Sequence, residues 1–324
     1  MNPNIQDVAK AAGVSPTTVS RVLNNRGYIS EQTREKVYKA MKEIQYIPND
    51  LARSLFHKRT YIIGLIVPNT SNPFFGELTF HIENVCESLG YKLLLCNSQN
   101  RIDKEQKYLE MLIGNQVDGV IAVTYNRGVL NSAKKELPIV SIDHYLSDTI
   151  PVVGSDNYEG GKSATELLIQ KGCKTIIHIN GPKDLRTPAA LRRKAYEDVM
   201  IKNMLDPIIY EFSTNEDPAP IVRRMFWDYP DVDGMFASDD LLAAMFMNEA
   251  KRQGKQIPED IKVIGYDGTE TTSKLLPELS TIKQPIYEIG KTAIDRLVKR
   301  INGETDNLSS EFILPIELIE NGTT

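Results

Sequence analysis

Cysteine is nearly missing from this 324-residue chain: Cys86, Cys96 and Cys173 are its three thiols. They are odd in number and without paired spacing, which excludes a disulfide framework and predicts reduced thiols in a cytoplasmic protein. Histidine is almost as scarce, with four residues, and no Cys-x-x-Cys joins them, so no metal cage is predicted. No apolar run approaches the roughly 18 residues that a bilayer span needs. The opening Met1-Asn-Pro-Asn-Ile-Gln-Asp7 carries neither a basic leader nor an apolar stretch, so neither export nor a membrane partner is expected. Enzyme signatures are missing too: there is no Gly-x-Gly-x-x-Gly after the first strand, no Walker loop and no Gly-x-Ser-x-Gly elbow. The carboxylates Asp239 and Asp240 are adjacent, a poor spacing for dividing acid and base roles. A binding protein without catalytic activity or cofactor is expected.

What is present is unevenly placed. Hydrophobic residues at 41% and charged residues at 25% are ordinary globular values that exclude wholesale disorder, and the length predicts two or three domains. The net charge of −5 would discourage a nucleic-acid partner. Residues 1–60, however, hold ten Lys/Arg against five Asp/Glu, a net of +5 that leaves −10 for the remainder. A basic head on an acidic body fits a small polyanion-binding module joined to something else.

The local pattern says what that head is. Ile5, Val8, Ala9 and Ala12 share one helical face, Asn4 can cap the helix, and Gly13 supplies a left-handed turn. Ser15-Pro16 reads as an N-cap followed by proline at the first helical position. A second helix then runs to about Leu23, with Val19, Val22 and Leu23 inward and Thr17, Thr18, Ser20 and Arg21 outward. A third starts at Ser30, with Val37, Ala40, Met41 and Ile44 at helical spacing. Two short helices across a glycine turn, braced by a third, make a helix-turn-helix. Its outward hydroxyls can contact bases or phosphates, and an arginine can take guanine bidentately.

The stretch Ile5-Gln-Asp-Val-Ala-Lys-Ala-Ala-Gly-Val-Ser-Pro-Thr-Thr-Val-Ser-Arg-Val-Leu-Asn24 resembles the opening of the lactose-repressor family of transcription factors. Tyr46-Ile-Pro-Asn-Asp-Leu-Ala-Arg-Ser-Leu55 resembles that family's hinge helix. The resemblance extends over essentially the whole chain. It implies a DNA face made of Thr17, Thr18, Ser20, Arg21 and Asn24 in the head, and Ala52, Arg53 and Leu55 in the hinge. Pro48 and Asn49 suit a helix start, and the segment from Asp50 to about Phe56 is too short to be stable alone. By the resemblance, two hinges pair in the minor groove and Leu55 wedges between base pairs, where the kink is offset by added contact. Packing of Leu55 into the body is the plainer alternative.

From Tyr61 onward, apolar runs (Ile62–Val67, Lys92–Cys96, Gly119–Val123, Ile139–Ile142, Ile176–Ile179, Met235–Ala237, Val263–Gly265) alternate with amphipathic segments (Glu77–Leu89, Lys104–Ile113, Ser163–Lys171, Ala190–Met204, Asp240–Gln253, Ile286–Ile301). That alternation predicts parallel sheets with helices on both faces, in two facing lobes with a cleft at the strand ends. The expected fold class is therefore an all-α helix-turn-helix head on an α/β body of two doubly wound parallel-sheet lobes. The resemblance implies the type-I periplasmic-binding-protein topology, with crossovers near Ser155–Asn157, Ile282–Pro285 and Leu314–Glu317. The domains are then 1–47 for the head, 48–59 for the hinge and linker, and 60–324 for the ligand-binding and dimerisation body. The N-lobe takes about 60–157 and 286–312; the C-lobe takes about 158–282 and 313–320.

Polar residues follow several apolar runs, as a ligand site needs: Asn69, Asn72, Phe74 and Phe75 after the first, Asp143 and His144 after the fourth, then Ser238, Asp239 and Asp240, and later Tyr266, Asp267 and Gly268. Carboxylates and amides beside aromatic rings suit a sugar. The resemblance assigns Asn72, Phe74, Asp143, Arg192, Asp239, Asp267 and Gln284 to the ligand site, beside Phe75 and His144. Each residue has a plainer reading: core for Phe74 and Phe75, a helix start for Asp240, a turn for Asp267-Gly268. His144 replaces the arginine of an Asp-Arg pair in ribose-binding relatives, which puts ribose in doubt. Asn72-Pro-Phe-Phe75 and Leu279-Ser-Thr-Ile-Lys-Gln-Pro285 look closest to ribose- and sucrose-operon repressors. The leading expectation is a homodimeric repressor on pseudo-palindromic double-stranded operator DNA, switched by a small sugar. No heptad stretch follows Leu314, which favours a dimer. A second reading replaces the sugar by a phosphorylated phosphocarrier protein docked on the body.

Overall fold

A computed structural model describes residues 3–47, 59–124, 126, 137–181, 187–213, 216–304 and 311–324. The chain divides into two units, Met1–Tyr61 and Ile62–Thr324. The hinge segment, with Ala52, Arg53 and Leu55, lies outside the described residues.

The head holds α1 (Ile5–Ala12), α2 (Pro16–Leu23) and α3 (Glu31–Glu43). Their ends are set by side chains. Asn4 Oδ1 accepts from the Gln6 and Asp7 amides while Asp7 accepts from the Asn4 amide, a reciprocal capping box. Gly13 takes φ 64°, which turns the chain from α1 to α2, and Ser15 caps α2 with Pro16 behind it. Val8, Ala9, Val19, Val22 and Val37 form the small core. Eight residues per helix is marginal for isolated helices, so this shared core holds them.

In the second unit, strands and helices alternate from β1 (Ile62–Val67) onward. The first lobe adds α4 (Pro73–Ser88), β2 (Lys92–Asn97), α5 (Ile102–Gly114), β3 (Gly119–Ala122), β4 (Ile139–Ile142) and β5 (Val152–Ser155). The second holds α6 (Asn157–Gln170), β6 (Ile176–Asn180), α7 (Pro188–Lys202), β7 (Ile208–Glu211), α8 (Ala219–Asp228), β8 (Gly234–Ala237), α9 (Asp240–Arg252), β9 (Lys262–Asp267), α10 (Glu270–Leu275) and β10 (Ser280–Lys283). The chain then returns to the first lobe for α11 (Ile286–Ile301) and β11 (Glu311–Leu314), and ends in the second with β12 (Glu317–Ile319). Sheet orders are β2-β1-β3-β4-β5-β11 and β7-β6-β8-β9-β10-β12. All pairings are parallel except β10 with β12. In the first lobe, Ile63, Leu65 and Val67 face α4 and α11, while Ile66 faces α5 with Leu109 and Leu112. In the second, α8 and α9 cover one face and α6 and α7 the other.

Three crossovers join the lobes, and they are bonded to one another. Ser155 Oγ donates to Gln284 Oε1 at 2.6 Å, and the Asp156 amide donates to the Leu314 carbonyl at 2.9 Å. Among the described residues no helix is long and apolar enough to cross a membrane, and the three cysteines are buried free thiols.

Several elements begin earlier than periodicity suggests. Helix α4 starts at Pro73 because Asn72 Oδ1 accepts the Phe74 amide and caps it. Helix α6 starts at Asn157 rather than Ser163, since Gly160 and Gly161 interrupt the apolar pattern. Those glycines allow a close approach: a Cβ at Gly160 would lie 2.3 Å from the Tyr266 hydroxyl, and one at Gly161 2.5 Å from the Arg192 carbonyl. Strands β5, β7, β10, β11 and β12 and helices α8 and α10 lie outside the expected elements; the strands mix polar residues or glycine among few aliphatic ones, which leaves no sustained apolar run. Because Gly161 meets backbone, Gly161→Ala is expected to destabilise the protein by about 1–3 kcal/mol. Urea denaturation checks this; an unchanged midpoint would mean that α6 and α7 are not in contact there.

Candidate ligand cleft and DNA-binding face

On the head, Thr17 and Arg21 are exposed and Thr18 and Ser20 half-buried along α2. The Thr18 hydroxyl already shares a 2.9 Å hydrogen bond with Ser15 Oγ. Asn24 serves the helix end: its amide donates to the Ser20 carbonyl at 2.8 Å and its Oδ1 is buried. Of the five residues, Thr17 and Arg21 therefore present the freest surface. Tyr28, 98% exposed just beyond α2, was passed over in the sequence; an aromatic amid turn residues gives no periodic signal.

In the body a cavity of about 240 Å³ opens between the lobes at the carboxyl ends of the strands. Asn72, Phe74, Phe75, Asp143, His144, Arg192, Asp239, Asp267 and Gln284 all line it. The first five come from loops and helix starts of the first lobe, the next three from the second, and Gln284 from a crossover. Asn100, Thr187, Phe212 and Ser238 line it as well. Asn100, Thr187 and Phe212 were not singled out. Asn100 was findable, because the polar run Ser98-Gln-Asn100 follows β2 as Asp143 follows β4.

Arg192 is the organising charge. It is 7% exposed; Nε donates to Asn157 Oδ1 at 2.8 Å and Nη1 to the Ser238 carbonyl at 2.6 Å. Its guanidinium lies 3.5 Å from the Tyr266 ring centroid and 3.9 Å from Asp267 Oδ1. Asp267 accepts from Gln284 Nε2 at 2.8 Å, so the Ser155–Gln284–Asp267 chain links the interlobe crossovers to the cavity. Asp267 takes φ 106° and Gly268 φ 59°, so the turn reading and the cavity reading of this pair are both met. Asp239 caps α9 through the Leu242 amide at 2.8 Å. Asp240 faces away from this cavity, accepting from Thr281, Thr272 and the Gly268 amide, and braces the loop after β9. Phe74 is 6% exposed, packs in the first lobe's core and also lines the cavity. Phe75 meets it edge-on at 5.2 Å.

Burial pushes the carboxyls up. Asp143 rises to about 6 through burial, opposed by the Arg192 charge and an amide hydrogen bond from Ser155. Asp267 is held well above the usual carboxylate range by burial, again against Arg192, and Asp239 is raised by burial. Asp143 Oδ1 and Asn100 Oδ1 are buried without a hydrogen-bond partner. No group of three or more His, Cys, Asp or Glu placed to hold a metal occurs among the described residues. Chemically, the arrangement presents carboxyl and amide oxygens that can accept from hydroxyl donors, beside aromatic rings that can cover C–H groups.

Residues 4–49 match the bacterial regulatory proteins of the lacI family, and residues 165–324 match the periplasmic binding protein-like domain. Across its whole length the chain is 43% identical to the sucrose operon repressor of Pediococcus pentosaceus, covering 100% of both proteins. The chain belongs to the LacI family. This LacI-family protein is also 40% identical to the ribose operon repressor of Halalkalibacterium halodurans, over 99% of the chain and 96% of that protein. Among solved structures, it resembles the lac repressor dimer bound to operator and the anti-inducer ONPF, with a TM-score of 0.88 and 26% identity over 100% of this chain and 99% of that one. It also resembles a periplasmic binding protein/LacI transcriptional regulator from Alkaliphilus metalliredigens complexed with D-xylulofuranose, with a TM-score of 0.73 and 35% identity over 82% of this chain and 99% of that one.

The raised carboxyls set a pH dependence. A carboxyl whose pKa rises on folding destabilises the ligand-free protein progressively as the pH climbs from about 4 to 6, and the full cost stands at neutral pH. Asp143→Asn removes that cost and tolerates the φ of 63°. The variant is expected to be about 1–3 kcal/mol more stable than the parent at pH 7.5, with the gain fading towards pH 4. Chemical denaturation at both pH values checks this; no gain at pH 7.5 contradicts the buried charge.

Proposed function

We propose that this protein is a transcriptional repressor of a sugar-utilisation operon, that it binds pseudo-palindromic operator DNA as a homodimer, and that a small sugar in the interlobe cleft controls its operator affinity. No catalytic role is assigned to the cleft. The observation that carries the reading is a capped helix-turn-helix joined in one chain to a two-lobed polar cleft, in a sequence 40% and 43% identical end to end to ribose and sucrose operon repressors.

The mechanism follows from where the lining comes from. A ligand touching Asn72 and Asp143 on one lobe and Arg192 and Asp267 on the other sets the separation of the two. The hinge is the bonded set of crossovers, and Gln284 belongs to both hinge and cavity. The ligand can change DNA affinity only by binding one lobe separation better than the other. The receiving end, in this proposal, is the segment with Ala52, Arg53 and Leu55, which is too short to be helical by itself and forms a paired helix on DNA. Thr17, Thr18, Ser20 and Arg21 then read the major groove.

Titration of simple sugars against the operator affinity of the purified protein at fixed salt tests this. A sugar is expected to change the affinity by about 5–150-fold. If a cleft-bound sugar leaves it unaltered, the switch is absent; if a phosphorylated phosphocarrier protein alters it instead, the second reading takes its place.

A further inference from the structure

We propose that Asn157 is the positioning residue that couples the cleft to the crossovers, holding Arg192 by one atom of its amide and the first crossover by the other. The proposal rests on the reading of the cleft as the effector site and adds the regulation of that site.

The first support is what three consecutive residues do. Ser155, Asp156 and Asn157 make up the first crossover, and each reaches a different place. Ser155 Oγ donates to Gln284 Oε1 at the second crossover, and the Asp156 amide donates to the Leu314 carbonyl at the third. Asn157 reaches Arg192, which lines the cavity: its Oδ1 accepts from Arg192 Nε at 2.8 Å, while its Nδ2 donates back to the Ser155 carbonyl at 3.0 Å. An aspartate here could hold the guanidinium alone. Holding the guanidinium and the Ser155 carbonyl together needs an acceptor and a donor at the tip of one short side chain, and the asparagine amide supplies both.

Those bonds close a ring. Arg192 is tied through Asn157 to Ser155, and the Ser155 hydroxyl to Gln284. Gln284 Nε2 then donates to Asp267 at 2.8 Å, and Asp267 Oδ1 stands 3.9 Å from Arg192 Nη1. All five residues are buried. Water therefore offers no substitute partner, and a member that shifts must carry its neighbours or leave a polar group unpaired. Arg192, Asp267 and Gln284 line the cavity, whereas Asn157 and Ser155 are not among its described lining. These two act through the other three.

Arg192 also has an edge for a ligand to engage. Nη1 is taken by the Ser238 carbonyl, whereas Nη2 takes no bond among the described residues. The helices on either side leave little slack. A Cβ at Gly161 would lie 2.5 Å from the Arg192 carbonyl, so α6 and α7 already meet backbone to backbone one turn after Asn157. A displacement of the guanidinium therefore passes to the Asn157 amide and on to the Ser155 carbonyl, at a connection between the lobes.

The experiment measures the coupling factor of the full-length protein, the ratio of operator dissociation constants with and without saturating sugar, at fixed salt. D-ribose, D-fructose, D-glucose and sucrose are the probes, and the one that shifts the parent most is used for the variants. Asn157→Asp keeps an acceptor for Arg192 and suits the first position of a helix, yet cannot donate to the Ser155 carbonyl. It is expected to bring the coupling factor towards one by about threefold or more. Ser155→Ala, which cuts the same chain at Gln284, is expected to do likewise, and the double variant to lose no more than either single one. A merely structural role would leave the coupling in place or give losses that multiply. Unchanged coupling in Asn157→Asp, or multiplying losses in the double variant, overturns the proposal and leaves the repressor reading intact. Should Asn157→Asp fail to fold, Ser155→Ala decides, and unchanged coupling there overturns the proposal. If no probe alters the parent's operator affinity, the effector reading falls and the proposal with it.

Discussion

An arginine placed between two lobes with carboxyls around it is costly to bury, and the cleft is built to offset that cost for Arg192. Desolvation is met by hydrogen bonds to Asn157 and the Ser238 carbonyl, by the Tyr266 ring, and by the nearby charge of Asp267. The packing of the second lobe follows from it. Helix α6 approaches α7 at Arg192 only because Gly161 carries no side chain, and it approaches the Tyr266 ring only because Gly160 carries none. The first lobe contributes no comparable cation among the described lining residues, so burial outweighs the Arg192 charge at Asp143.

That asymmetry suits a switch. In the proposed switch, a ligand gains most where it meets Asp143 on one side and the Arg192–Asp267 pair on the other. Both groups meet at one distance between the lobes. Gln284 is bonded both to Asp267 in the cavity and to Ser155 at the neighbouring crossover, so in the proposed switch it ties the cavity to the crossovers. Short strands ending in polar loops make this arrangement possible: two sheets carry the residues, and three bonded connections join the lobes.

Much of this was legible in the residues themselves. Asn4, Gly13, Ser15 and Pro16 marked the head's helix ends because capping is local chemistry, and each acts where expected. Runs such as Ile62–Val67 announced buried strands because parallel sheets are covered on both faces. Polar residues directly after such runs pointed to the cleft, and the structure gathers Asn72, Asp143, Asp239 and Asp267 around one cavity. What stayed hidden depends on tertiary contact. The start of α6 was masked by Gly160-Gly161, whose reason is a neighbour 2.3–2.5 Å from an added Cβ. β5 (Val-Val-Gly-Ser) and β7 (Ile-Ile-Tyr-Glu) give no sustained aliphatic run, because glycine and serine or tyrosine and glutamate cut the signal after two residues. Asp240 and Asp239 look alike in sequence, yet one braces the loop after β9 and the other borders the cavity. The pairing of lobes across three crossovers came from the family resemblance, since alternation alone cannot say which sheet a strand joins.

The central claim is a thermodynamic coupling between cleft and operator, and coupling is reciprocal. The most direct measurement is the dissociation constant of a cleft-bound sugar for the free protein and for the protein saturated with its operator. The account predicts that the two constants differ by the same factor by which saturating sugar changes operator affinity. Equal constants with and without operator would contradict it.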